Sequence, residues 1–279
     1  MDWSAAAPDN FVRSLEPRAP YAPPVGISDQ HARTAEKLLK ESLEEAFHIQ
    51  QSMLPGGTLR LPSLEVAYQY RPAYVFSGDF LDYFPIGNSN SLGLYIGDVV
   101  GKGMPAALYA ALAVGTLCGI HKTEEPPNSV LQFLNRRLAA RNIGGRFCCV
   151  QYAVLERTTL HLSFCNAGLS PRPIHITQAG ALEAGDGGFP CGMFDDVPYD
   201  VYSAQLAPGD TMLFSTDGLV EAQDQACEPF GVNRLLEVCH KNRHAPPGVL
   251  LNQIFSAVDA FTRADFLRDD MTAAALRIG

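Results

Sequence analysis

Two strand-like runs near the middle of the chain, Phe147 to Leu155 and Thr159 to Asn166, are separated only by Glu156-Arg157-Thr158. A turn of that length joins antiparallel strands and leaves no room for the crossover that parallel neighbours need. The sheet is therefore not of the doubly wound parallel kind. Further strands are expected at Leu64 to Tyr70, Leu92 to Val99, Thr211 to Thr216 and Thr272 to Ile278. Helices are expected at Pro105 to Ile120, Ser129 to Arg141, Val232 to Lys241 and Pro247 to Ala264. Consecutive helices must lie on a face of the sheet they follow, so the order predicts a layered α/β (α+β) sandwich rather than interleaved βαβ units. With 47% apolar residues and no obvious linker, residues 55–279 read as one domain with a sizeable core.

The first part of the chain reads differently. Residues 1–27 are rich in Ala and Pro, which argues for a flexible leader. Residues 28–54 turn helical, and Leu39, Leu43, Ala46, Gln50 and Met53 recur at spacings of four and three before Pro55-Gly56-Gly57 ends the run. Such a helix either packs on its own domain or pairs with a copy of itself and carries a signal. No signal sequence or membrane-length apolar run is visible, so no membrane is expected. The net charge of -9 opposes nucleic acid. The seven cysteines include no C-x-x-C pair, and most lie in apolar runs, as reduced cysteines of a cytoplasmic protein do.

Four acidic motifs carry the chemistry. Leu92 to Gly97 runs into Asp98, followed by Val99-Val100-Gly101-Lys102-Gly103-Met104-Pro105. A phosphate-cradling P-loop needs four residues between its first glycine and Gly-Lys, then Ser or Thr; here there are three and the run ends in glycine. Asp98 also lies too far before Pro105 to cap the helix there. Ser77-Gly78-Asp79, Thr216-Asp217-Gly218 and Asp269-Asp270-Met271-Thr272 each stand beside a similar run, whereas Asp210 in Pro208-Gly209-Asp210 reads as a turn residue. Either Asp269 or Asp270 can be the member that faces the site. The seven histidines form no paired metal motif, and no Gly-x-Ser-x-Gly elbow is present. Carboxylates alone favour a hard cation, magnesium or manganese, over zinc. A site of this kind suits phosphoryl chemistry with two metals about 4 Å apart.

The ordered set resembles the SpoIIE/RsbU-type bacterial serine phosphatases of the metal-dependent PPM class. The likeness runs from Ile49-Gln50-Gln51-Ser52-Met53-Leu54-Pro55 to Ile278 and includes Asn166-Ala167-Gly168-Leu169-Ser170-Pro171 and Gly187-Gly188-Phe189-Pro190-Cys191-Gly192. It implies a four-layer αββα sandwich, two antiparallel sheets flanked by helices. It further implies two divalent ions, Mn2+ or Mg2+. Asp98 would bridge both and the Val99 carbonyl would assist one; Asp217 and Asp269 would complete one shell, and Asp79 would hold the second ion directly or through water. The implied reaction is in-line hydrolysis of phosphoserine or phosphothreonine without a covalent intermediate.

The implied substrate is a phosphorylated STAS-domain anti-sigma-factor antagonist in partner switching. An upstream activator protein, or a homodimer through helix 28–54, would supply the input. The alternative is a catalytically silent scaffold of the same fold that binds a phosphoprotein. Two positions depart from the family pattern. Ser77 stands where Gly is frequent and should keep the turn, while Leu169 stands where His is frequent and bears on substrate contact.

Overall fold

The computed structural model describes residues 29–87, 89–120, 123–263 and 267–279, so the expected leader and Ala264 at the end of the last expected helix lie outside the described residues. The chain divides into two compact units, Met1–Ala46 and Phe47–Gly279. Helix α1 (Asp29–Ser52) supplies the described part of the first unit. There Leu38 and Leu39 are exposed, and ion pairs Lys37–Glu41 and Lys40–Glu44 line the helix at i,i+4 spacing. The last residues of α1, from Phe47, belong to the second unit. Gln50 is buried there, its amide Nε2 donating to the Ser77 carbonyl at 2.7 Å while its Oε1 accepts from the Ser77 N–H at 3.2 Å. At that position the helix packs on its own domain.

The second unit holds two antiparallel sheets. Strands β1 (Leu59–Leu61), β2 (Leu64–Arg71), β7 (Ile174–Ile176), β8 (Ala181–Glu183), β10 (Thr211–Ser215) and β11 (Met271–Ile278) form one, in the order β1-β2-β11-β10-β7-β8. Strands β3 (Phe80–Pro85), β4 (Ser91–Val99), β5 (Cys148–Glu156), β6 (His161–Ala167) and β9 (Tyr202–Gln205) form the other, in the order β3-β4-β5-β6-β9. Helices α2 (Met104–Cys118) and α3 (Pro127–Ala139) cover the five-stranded sheet, and α4 (Gly231–Lys241) and α5 (Pro247–Thr262) cover the six-stranded one.

Side-chain alternation sets these layers. Along β4, Leu92, Leu94 and Ile96 pack into the core between the sheets, while Tyr95 and Val99 face α2 and α3. Along β11, Ala274, Leu276 and Ile278 enter the same inter-sheet core, while Met271, Ala273 and Ala275 face α4 and α5. The result is the αββα sandwich. Among the described residues no helix is long and apolar enough to cross a membrane. All seven cysteines are free thiols, with Cys148, Cys165, Cys191 and Cys239 buried.

Besides the short strands β1, β7, β8 and β9, which the sequence expectation did not include, two features differ from it. The β5–β6 hairpin pairs Glu156 with His161, so its turn sits at residues 157–160, beyond Glu156-Arg157-Thr158. Glu156 ends β5, and its carboxylate accepts from the Thr158 N–H and the Thr159 hydroxyl, which closes the turn one step later. Strand β3 is the second difference, because Phe80 to Pro85 follows an acidic turn and carries Asp82 within it. It forms because its rings have somewhere to go: Phe80 lies opposite Gly97 and Phe84 opposite Gly93. A Cβ on Gly97 would stand 2.3 Å from the Phe80 ring, and one on Gly93 2.5 Å from the Phe84 ring. The glycines of β4 are seats for the aromatics of β3.

Candidate functional site

The same alternation places the acidic motifs. Asp98 continues the Leu92, Leu94, Ile96 face of β4, and Asp79, two residues before Leu81, continues the corresponding face of β3. Phe80 pairs with Gly97, so the residues before and after that pair, Asp79 and Asp98, come side by side. On the other sheet, Thr216 follows Met212 and Phe214, and Thr272 precedes Ala274, Leu276 and Ile278. All four side chains enter the gap between the sheets at one end, where the apolar core stops.

Asp79 is 3% exposed, and its Oδ2 accepts from the hydroxyls of Thr216, at 2.9 Å, and Thr272. Burial, then the charge of Asp98, pushes its carboxyl well above the usual carboxylate range, and the two threonine hydrogen bonds only partly offset this. Asp98 is pushed up to about 8 by burial and then by the charges of Asp217 and Asp269. Asp217 opens a 3-10 turn (Asp217–Leu219) and is pushed up to about 6 by burial and by Glu221 and Asp269. All three shifts run upward because several negative charges share a small, poorly hydrated volume in which ionisation is costly.

The structure separates Asp269 from Asp270. Asp270 is 5% exposed and accepts from the Ala73 N–H at 2.7 Å with one oxygen and from the Gly78 N–H at 2.9 Å with the other. It fastens the loop that carries Asp79. Asp269 is half-exposed and ion-paired to Lys102 Nζ at 2.8 Å. A cavity of about 170 Å3 opens there, lined by Lys102, Gly218, Glu221, Arg268, Asp269 and Met271 among others.

Two glycines make these approaches possible. A Cβ on Gly218 would stand 1.9 Å from the Asp270 carbonyl oxygen, and one on Gly78 would stand 3.0 Å from the Val99 carbonyl oxygen and 3.3 Å from Asp98 Oδ1. The space a side chain would fill beside Gly78 is thus bounded by two oxygens. Together with the carboxylates this donor set is oxygen only, and it fits a hard divalent cation in kind. As the side chains stand, no three His, Cys, Asp or Glu groups among the described residues converge into a group able to hold a metal ion. The hydrogen bonds above give the reason: Asp79 faces the threonines, Asp270 faces backbone, and Asp269 faces Lys102.

Reading the sequence alone missed Thr216, Thr272, Lys102 and the clamping role of Asp270. For Thr216, Asp270 and Thr272 the signal was parity with the buried strand residues beside them, whereas Lys102, in a loop, carried none. Ser77 does keep its turn, its Oγ accepting from the Asp79 N–H at 3.0 Å. Leu169 is 3% exposed in the inter-sheet core, where its N–H donates to Asn166 Oδ1 at 2.9 Å and its carbonyl accepts from Asn166 Nδ2. Asp210 is a turn residue, accepting from the Ala207 N–H and pairing with His175 Nε2 at 3.0 Å.

Two antiparallel sheets between helix pairs are also the fold of solved PP2C phosphatase domains. Residues 88–279 match the family model described as Stage II sporulation protein E (SpoIIE), and the chain belongs to that family. It is 26% identical over 235 residues to Protein IcfG of Synechocystis sp., covering 75% of this chain and 37% of the relative. It is 26% identical over 199 residues to the phosphoserine phosphatase RsbU of Bacillus subtilis, covering 70% of this chain and 58% of the relative. The chain thus spans about a third to somewhat over half of these relatives. Among solved structures, the SiaA-PP2C domain of Pseudomonas aeruginosa superimposes with a TM-score of 0.74 at 19% identity, covering 88% of this chain and 99% of that one.

Proposed function

We propose that this chain is a metal-dependent protein serine/threonine phosphatase, with residues 55–279 as its catalytic domain and helix 28–54 as a linker or dimerisation element. The observation that carries the reading is the oxygen-only set at one end of the sheets, where buried Asp79 lies beside Asp98 and the space next to Gly78 is bounded by the Val99 carbonyl oxygen and Asp98 Oδ1. Asp98 would be shared between two ions, Mn2+ or Mg2+, with the Val99 carbonyl beside it; Asp217 and Asp269 would hold one ion, and Asp79 the other. Bound there, the cations would supply an activated water and neutralise charge that builds on the phosphoryl oxygens.

The protein's own residues do the positioning. Thr216 and Thr272 orient Asp79, Asp270 fixes the loop before it, and Gly78 and Gly218 let backbone come close. The substrate we infer is a phosphoserine or phosphothreonine on a STAS-domain anti-sigma-factor antagonist in a partner-switching pathway. Input would come from an activator protein or from a homodimer through helix 28–54. The relative named a phosphoserine phosphatase supports this chemistry. The test is manganese-dependent phosphate release from a phosphoserine protein. Asp98→Asn should lower the rate by at least about 100-fold with an unchanged circular dichroism spectrum, and equal rates in both proteins would sink the reading.

A silent scaffold is the second reading. It is favoured by the absence, among the described residues, of three converging ligands and by Leu169 in the core. Calorimetry that detects no divalent-metal binding would select it.

A further inference from the structure

Lys102 occupies an unusual place. It lies in the loop that follows Asp98, between Gly101 and Gly103, whose φ angles of 99° and 70° belong to the left-handed region. The loop is held from outside by Arg146, which donates to the Val100 carbonyl at 3.1 Å. Lys102 Nζ reaches the Asp269 carboxylate at 2.8 Å and donates to the carbonyl of Arg268. Among the described residues it is the one basic side chain ion-paired with any of Asp79, Asp98, Asp217, Asp269 and Asp270. The other basic side chain lining the cavity, Arg268, hydrogen-bonds Gln223 Oε1.

We propose that Lys102 exchanges partners: it neutralises Asp269 in the metal-free protein and turns to the phosphoryl group of the substrate when Asp269 is recruited to a cation. The inference rests on the metal-dependent reading above. Both side chains of the pair are about two-fifths exposed, so the contact is readily broken and leaves no buried charge behind. Released from Asp269, the ammonium keeps three N–H donors at the rim of a cavity whose wall includes Glu221 and Asp269. A phosphate monoester entering such a wall needs a cation, and a compact ammonium on a flexible stem supplies it. The same pairing accounts for why Asp269 does not converge with Asp98 and Asp217 as the side chains stand.

The experiment titrates wild type, Lys102→Met and Lys102→Arg with Mn2+ by calorimetry, and then titrates each manganese-loaded protein with inorganic phosphate. Methionine keeps the apolar stem and removes the charge. Lys102→Met should bind manganese about 3- to 10-fold more tightly and inorganic phosphate about 10-fold more weakly, while Lys102→Arg keeps phosphate affinity within about threefold of wild type. The opposite signs matter, because a merely structural lysine would weaken both. Wild type that binds manganese, together with Lys102→Met that is unchanged or weaker for it, overturns the exchange and leaves the phosphatase reading intact. Wild type that binds no manganese overturns the underlying reading and this inference with it.

Discussion

The hydroxyls of Thr216 and Thr272 illustrate how little separates a stable buried carboxylate from a costly one. Asp79 is enclosed by strand ends from both sheets, and these two donors reach its Oδ2. Removing a donor from a buried group costs about 1–3 kcal/mol because the acceptor cannot return to water. Thr272→Val keeps the β-branched shape in β11 and deletes the hydroxyl, so it should lower the urea midpoint by an amount equivalent to about 1–3 kcal/mol. Thr272→Ser retains the donor and should stay within about 1 kcal/mol of wild type; equal losses in both variants would assign the effect to packing rather than to the hydrogen bond. Asp98→Asn works in the other direction. It removes a carboxylate whose neighbours resist its charge, so the metal-free protein should melt no lower than wild type even though turnover is lost.

At the scale of elements, the seating of β3 on β4 makes a prediction with an internal control. The three atoms nearest to where a Cβ on Gly93 would stand are all in the Phe84 ring, at 2.5, 2.7 and 3.2 Å, so Gly93→Ala should destabilise by about 1–3 kcal/mol through overpacking. Phe84→Leu alone opens a gap, but the double variant should lose less than the sum of the two, with a coupling of at least about 0.5 kcal/mol in denaturant melts. Strict additivity would mean that the ring and the glycine are not partners. Gly97 offers no such rescue, because its Cβ would also lie 2.8 Å from the Cys149 carbonyl oxygen. This pairing also shows what could be read from the chain and what could not. The short turn after Leu155 and the apolar runs of β4, β10 and β11 carry their own period and signalled antiparallel layers. Strand β3 carries Asp82, and its stability comes from glycines on another strand. Asp79, Asp98 and Asp217 were legible as strand-end acids. Asp270 could not be told from Asp269 because its partners, the N–H groups of Ala73 and Gly78, lie on a distant loop.

The whole molecule inherits a pH dependence from this cluster. In the unfolded chain an aspartate titrates near 4, whereas in the fold Asp217 titrates at about 6, Asp98 at about 8 and Asp79 well above the usual range. Between those values the folded protein binds more protons than the unfolded one, so stability falls as pH rises. The contribution is fully present below the unfolded value and is lost as pH passes through about 6 and then about 8. The metal-free protein, kept in chelator, should therefore melt at least about 3 °C lower at pH 8.5 than at pH 5.5, and Asp98→Asn should flatten that slope. A divalent cation reverses the sign, since ligand carboxylates must be deprotonated and protons compete with the metal. At pH 8.5, saturation with Mn2+ at about 100 times its dissociation constant should restore about 2.7 kcal/mol, and the same concentration at pH 5.5 should restore much less. Melting curves across that range, with and without Mn2+, decide the matter. A chelated protein whose melting temperature is flat or rising from pH 5.5 to 8.5 would mean that these carboxyls do not share a charge-starved pocket, and with that the case for a cation between the sheets would fall.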